Sequence, residues 1–190
     1  MTTTTPTIPQ PATDTWLKRY YYLRAVFSIA WVIAAFAIGQ HMPAAAAVLL
    51  VLYPAWDAFA NLLDASRSGG LGRNRSQAIN LAVSAITTIA VLVALPDMHQ
   101  VLTVFGAWAI LSGLLQLGTA LKRWKGHGGQ ATMILSGAQS ALAGGFFISQ
   151  ALAPATPSIM NVAGYAGVGA FYFLVSALWL TASAMRTRRA

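Results

Sequence analysis

Apolar residues fill this chain in six long blocks separated by short polar or basic interruptions, rather than recurring with the 3.6-residue period of a half-buried helix. Crossing the hydrocarbon core of a bilayer takes roughly 20 apolar residues at 1.5 Å rise each. The blocks have that length, and they predict transmembrane helices over Tyr21–Gln40, Ala44–Ser66, Gln77–Leu95, His99–Leu121, Gln130–Leu152 and Ser158–Ala184. The breaks at Gln40–Pro43 and Pro96–His99 leave room only for tight turns. The expected fold is all-α: a polytopic membrane protein of six helices arranged as three tandem helical hairpins. Residues 1–20, rich in Thr and Pro at their start, read as a disordered tail, residues 21–184 as the membrane domain, and residues 185–190 as a basic tail.

Composition fits a lipid solvent: 57% of the 190 residues are hydrophobic and only 8% are charged. The net charge of +8 would suggest nucleic acid in a soluble chain, but here the cations sit between the apolar blocks. Lys18, Arg19 and Arg24 open the first block; Arg67, Arg73 and Arg75 follow the second; Lys122, Arg123 and Lys125 follow the fourth; Arg186, Arg188 and Arg189 follow the sixth. The other three connections carry none. Since positive loops stay in the cytoplasm, both termini are expected there, in a bacterial plasma membrane, with anionic lipid headgroups as the partners of the basic loops. A basic start followed by an apolar stretch also describes a signal peptide, and cleavage near Ala37 or Ala46 would leave five spans with the same orientation. The polar tail and the length of the stretch favour an uncleaved helix.

Spans of equal orientation align with one another. Tyr53-Pro54-Ala55-Trp56 matches Phe105-Gly106-Ala107-Trp108, Leu62-Leu63 matches Leu114-Leu115, and the fourth and sixth spans align more weakly through Trp108 with Tyr172 and Ser112 with Ser176. With six short spans, tight outward turns, and a Leu-Ser-Gly step at Leu111–Gly113 that recurs at Leu135–Gly137, the stretch from Tyr53 to Arg186 resembles the HdeD-like membrane proteins. That family is named for a bacterial acid-resistance protein and is built from two-helix repeats. The resemblance implies a role in envelope or acid stress and carries no catalytic motif.

Polar groups inside the blocks are the candidates for chemistry. Asp57 lies nine residues from Ser66, about 13 Å deep, where a carboxylate must be protonated, paired or hydrated. Asp57, Asn61 and Asp64 share one helix face by their i, i+4, i+7 spacing. No cation is expected at the depth of Asp57, which leaves it either protonated or hydrogen-bonded to groups such as Asn61, Gln139 or Ser140; Asp64, nearer the interface, is expected to pair with Arg24 or Arg67. Asp57, Asn61, Asp64 and Gln139 are therefore the intramembrane polar candidates, either proton-responsive or simply binding helix to helix.

Ser140 with Gly144, Ala141 with Gly145 and Ala163 with Gly167 have the spacing of close helix packing, within the chain or, alternatively, in a homo-oligomer. Trp16, Trp124 and Tyr20–Tyr22 are candidates for the membrane interface, whereas Trp56 and Trp108 are expected inside the bundle. The absence of cysteine excludes disulfides and thiolate chemistry, and His41, His99 and His127 are too scattered for a metal site. Ser68–Arg75 lacks the ending of a phosphate-binding loop. Nothing points to nucleic acid, a cofactor or catalysis. The reading is a non-enzymatic membrane protein acting as a structural or sensing module, with a proton-linked or small-solute transporter or channel as the alternative.

Overall fold

The computed structural model describes residues 10–123 and 130–187 and, within them, consists of helices joined by short turns, with no strand. Six α-helices follow in order: α1 (Gln10–Ala34), α2 (Pro43–Arg67), α3 (Arg75–Ala94), α4 (Met98–Arg123), α5 (Gln130–Ala151) and α6 (Ile159–Thr187). A π-turn over Ala35–Gly39 closes α1, the Gln40 amide reaching back to the Ala35 carbonyl at 2.9 Å. Helix α2 starts with Pro43 in its first turn, where a missing N–H costs nothing. Asp97 opens α4 by accepting the backbone N–H of His99 at 2.8 Å.

Among the described residues, five helical stretches are long and apolar enough to cross a membrane: Thr15–Gly39, Pro43–Arg67, Arg75–Ala94, Met98–Leu121 and Ile159–Arg186. Helix α5, at 22 residues, also has the length to cross, and carries Gln139, Ser140, Ser149 and Gln150 among its apolar residues. The outer surface is a coat of aliphatic and aromatic side chains, with Val93 75% exposed, Leu142 76% and Trp179 71%. Apolar cover of this extent is what a lipid solvent permits and water does not.

Two boundaries differ from those expected. Helix α1 begins at Gln10, well before Tyr21, because Trp16 and Tyr20 pack on each other and Trp16 Nε1 donates to Asp64 Oδ1 at 3.2 Å, tying this stretch to the end of α2. Helix α6 continues through Thr187 into the segment assigned to the basic tail. The parts of the two tails at residues 1–9 and 188–190 lie outside the described residues.

The main packing pairs are α4 with α5, α1 with α6 and α2 with α3, followed by α3 with α4; α1 with α2 and α5 with α6 touch sparingly. Intimate backbone packing thus does not follow the three hairpins read from the sequence, since two of those hairpins, α1–α2 and α5–α6, meet through long side chains. Phe27 stacks on Trp56 with ring centres 4.3 Å apart, and Trp31 lies 4.9 Å from Tyr53. Such rings hold helices together while keeping their axes apart.

The α4–α5 seam is the opposite case. A Cβ added to Gly144 would lie 2.4 Å from the Gly106 carbonyl oxygen, and one added to Gly113 would lie 2.5 Å from that of Gly137. Gly106 and Gly113 are seven residues apart, as are Gly137 and Gly144, so the two antiparallel helices meet at two glycine crossings. The recurring Leu-Ser-Gly step supplies one glycine to each side of the second crossing.

Candidate functional site

The polar groups of the bundle gather along its axis. Asp57 on α2 forms an ion pair with Arg24 on α1. Its other oxygen accepts Asn61 Nδ2 at 2.9 Å and Ser84 Oγ, from α3, at 2.7 Å. Ser84 Oγ in turn receives Trp108 Nε1 of α4 at 3.1 Å, and the Arg24 guanidinium donates to Tyr20 Oη at 3.0 Å while lying over the Phe173 ring of α6. One connected network therefore joins five helices.

Asp57 accordingly has the cationic partner that the sequence reading denied it. Arg24 lies seventeen residues before His41 and Asp57 sixteen after, so across that tight turn the two stand at nearly equal height in the bundle. Counting Asp57 inward from Ser66 and treating Arg24 as a loop charge concealed this. Charged groups at membrane depth pair with one another because isolation in a medium of low dielectric costs several kcal/mol.

The other candidates divide. Asn61 bonds to Asp57 as expected, but Gln139 and Ser140 do not: Gln139 Oε1 accepts Tyr172 Oη at 2.7 Å, and Ser140 Oγ donates to the Ala109 carbonyl at 3.0 Å and lies 2.7 Å from Tyr165 Oη. Asp64 takes Trp16 Nε1 and, at 3.0 Å, Gln77 Nε2, in place of Arg24 or Arg67; Arg67 lies over the Trp16 ring. Tyr20 is buried within the bundle. Trp108 is buried as expected.

Of the small residues, Gly144 belongs to the α4–α5 seam and Ala141 packs on Gly113 within it, and Ala163 is buried in the core. Gly145 and Gly167 have open space where a Cβ would stand, so they make no close packing contact among the described residues. Gly145 is exposed, and Gly167 is half-buried beside a shallow space bordered by Ile29, Val32 and Ile33 of α1. Trp124, Lys125 and His127 lie outside the described residues. His99 Nδ1 lies 2.9 Å from the Ala151 carbonyl, and no group of three or more potential metal ligands occurs among the described residues.

Where α5 and α6 stand apart, a cavity of about 550 Å³ remains, to which all six helices contribute. It reaches from Ser76 and Thr119, near the end of the bundle bearing the basic residues, to Asn161, two residues into α6 at the opposite end. Its wall combines the carboxamides of Asn80, Gln116 and Gln139 with the rings of Trp108, Phe147 and Tyr165. Among the described residues lining it, only Arg24 and Asp57 are charged, and they neutralise each other. Gln139 and Gly164 are exposed along the gap between α5 and α6, where the cavity is least covered.

Two donors are buried without a hydrogen-bond partner among the described residues, Arg24 Nε and Trp56 Nε1. The size is that of a small-molecule site, and a largely apolar wall with a few polar groups is the usual lining of such a site. Sequence reasoning located Asp57, Asn61 and Gln139 but not the cavity, since a void depends on where helices fail to meet. The chain was compared with protein-family models, with characterised proteins and with solved structures, and no match was found.

Proposed function

We propose that this protein is a non-enzymatic integral membrane protein that passes a small solute through its central cavity. The observation that carries the reading is the cavity itself: lined by every helix, with carboxamides and hydroxyls set among largely apolar walls, and extending over most of the length of an apolar bundle. The polar groups in its walls, among them Asn80, Gln116 and Gln139, are costly to leave unsolvated within a membrane, which favours water or solute inside. The gathering of basic residues at one end supports a cytoplasmic position for both termini in a bacterial plasma membrane, with anionic headgroups against the basic loops.

Proton coupling through Asp57 is the weaker form of this reading. Its carboxylate is held by Arg24, Asn61 and Ser84, and a proton relay needs a group free to exchange its partners. That same network favours a second reading, a structural or sensing module in envelope or acid stress, the role implied by the resemblance to HdeD-like proteins. A clamp of five helices at one carboxylate is a rigid element of the kind such a module needs.

Proteoliposomes separate the two. Stopped-flow swelling in glycerol or urea should exceed that of protein-free vesicles if solutes pass, with proton leakage under an imposed pH gradient at the control level. Swelling equal to the control would leave the structural reading.

A further inference from the structure

We infer that the cavity has a side entrance between α5 and α6 that opens onto the bilayer, through which it takes up uncharged, membrane-dissolved ring compounds bearing a hydrogen-bonding group, such as a substituted phenol. The inference goes beyond the passage of water-borne solutes, since it needs the cavity but no through path.

The entrance has a frame. Neighbours in chain order touch around the cavity, and α5 with α6 is the sparsest of these joints. Two hydrogen bonds span it: Tyr172 Oη donates to Gln139 Oε1 at 2.7 Å, and Asn161 Nδ2 donates to Gln150 Oε1 toward the opposite end of the bundle. Eleven residues separate these rungs on each helix, from Gln139 to Gln150 and from Asn161 to Tyr172, a height of about 16 Å at 1.5 Å per residue. Between the rungs the rim consists of Ala143 and Phe146 of α5 with Gly164 and Val168 of α6, all of which line the cavity. The bond between Tyr165 Oη and Ser140 Oγ lies deeper, where the Tyr165 ring meets the buried rings of Trp108 and Phe147.

The rim belongs to the outer surface as well as to the cavity. Phe146 is 59% exposed and Val168 39%. On α6, Gly164 and Val168 are in helical register with Phe171 and Val175 of the apolar coat, and on α5 Phe146 follows Leu142 of that coat by one turn. A Cβ added to Gly164 would meet nothing within 4 Å, so no neighbouring side chain closes this edge among the described residues. Gly164 and Val168 also lie inside Ile159–Arg186, a stretch able to cross a membrane, where the surrounding medium is hydrocarbon.

The wall decides what such an entrance admits. Trp108, Phe147 and Tyr165 offer apolar ring surface, and the carboxamides of Asn80 and Gln116 can each donate and accept. Arg24 and Asp57 neutralise each other, so a charged ligand would find no spare counter-ion and would carry the full cost of burial. A neutral molecule already dissolved in lipid carries no such cost, and it gains hydrogen bonds that hydrocarbon cannot offer.

The test is photolabelling in proteoliposomes with a trifluoromethyl-diazirinyl benzyl alcohol, a neutral ring compound that partitions into bilayers, with the labelled residues read by mass spectrometry. Label should appear and saturate on the cavity wall at Trp108 or Phe147, while label on the outer coat at Val93 or Leu142 rises without saturating. Neutral para-propylphenol should displace the wall label at concentrations at least about tenfold below those of anionic para-propylbenzoate. Gly164→Trp fills the open edge of the entrance and should remove most of the wall label, whereas Gly145→Trp, in open space on the outer coat, should leave it unchanged.

Val168→Trp repeats the obstruction should Gly164→Trp not fold. Wall label that persists in a folded obstructed variant, equal displacement by the benzoate, or label confined to the outer coat overturns the inference. Swelling in glycerol or urea, measured on the same proteoliposomes, reports separately on the solute reading. Wall label without swelling removes that reading and leaves this inference standing, and swelling without wall label does the reverse.

Discussion

The two sides of α5 are built on opposite principles. Toward α4 it presents Gly137, Ala141 and Gly144, and the backbones approach so closely that not even a methyl group fits at the crossings. Toward α6 it presents Gln139, Ser140 and Gln150, which reach Tyr172, Tyr165 and Asn161 by hydrogen bonds across a gap that opens into the cavity. In lipid there is no hydrophobic drive to press helices together, so dispersion at small-residue crossings and interhelical hydrogen bonds do the work. Here the two are segregated: one face supplies rigidity, and the other tolerates a void because the first holds the helix in place.

The largest expected effect lies at the floor of the cavity. Arg24→Met leaves Asp57 charged, buried and short of its cation, and should cost about 3–5 kcal/mol, read as a lowered midpoint of unfolding in detergent. Adding Asp57→Leu should recover most of that loss, since an apolar pair replaces the ionic one. If the single and double variants are equally unstable, the pair is not what stabilises the network.

Next comes a contrast between neighbouring residues. Gly144→Ala forces a Cβ to within 2.4 Å of the Gly106 carbonyl oxygen and should cost about 1–3 kcal/mol as the helices are driven apart. Gly145→Ala meets open space and should change stability by no more than about 0.5 kcal/mol. Equal effects would dissolve the distinction between the two faces. Tyr172→Phe removes one hydrogen bond across the α5–α6 gap at a cost of about 0.6 kcal/mol, and it should increase the reactivity of a cavity cysteine more than it lowers stability.

The smallest effect lies at the α3–α4 turn, outside both faces. The backbone N–H of His99 holds the Asp97 carboxyl below the usual carboxylate range, with Gln100 adding to the effect. A carboxyl depressed in the folded state stabilises above its unfolded pKa of about 3.9 and loses that contribution as pH falls through the lower folded value. Thermal midpoints of wild type and Asp97→Asn should therefore run parallel above about pH 5 and converge only in acid.

Much of this architecture was legible in the order of residues. The limits of α2, α3 and α4 follow directly from apolar blocks ended by Pro43, Arg67, Arg75 and the Pro96 turn, and the shared face of Asp57 and Asn61 follows from helical spacing. What escaped was relational. The Arg24–Asp57 pair required comparing heights across the turn at His41, and the glycine seam required noticing a seven-residue spacing in two helices at once. The early start of α1 came from Trp16 finding Asp64, a contact between residues far apart in sequence. The cavity had no local signal, since its polar lining is dispersed singly over six helices.

Three consecutive positions of α5 test the account most directly. Ser140 faces the cavity, Ala141 packs in the seam and Leu142 points outward. Single cysteines at these positions, reconstituted in bilayers and treated with a membrane-impermeant thiol reagent, should react rapidly at 140 and hardly at all at 141 and 142. Comparable rates at all three, or an unreactive thiol at 140, would contradict the existence of a water-accessible cavity on one side of α5 and a closed seam on the other.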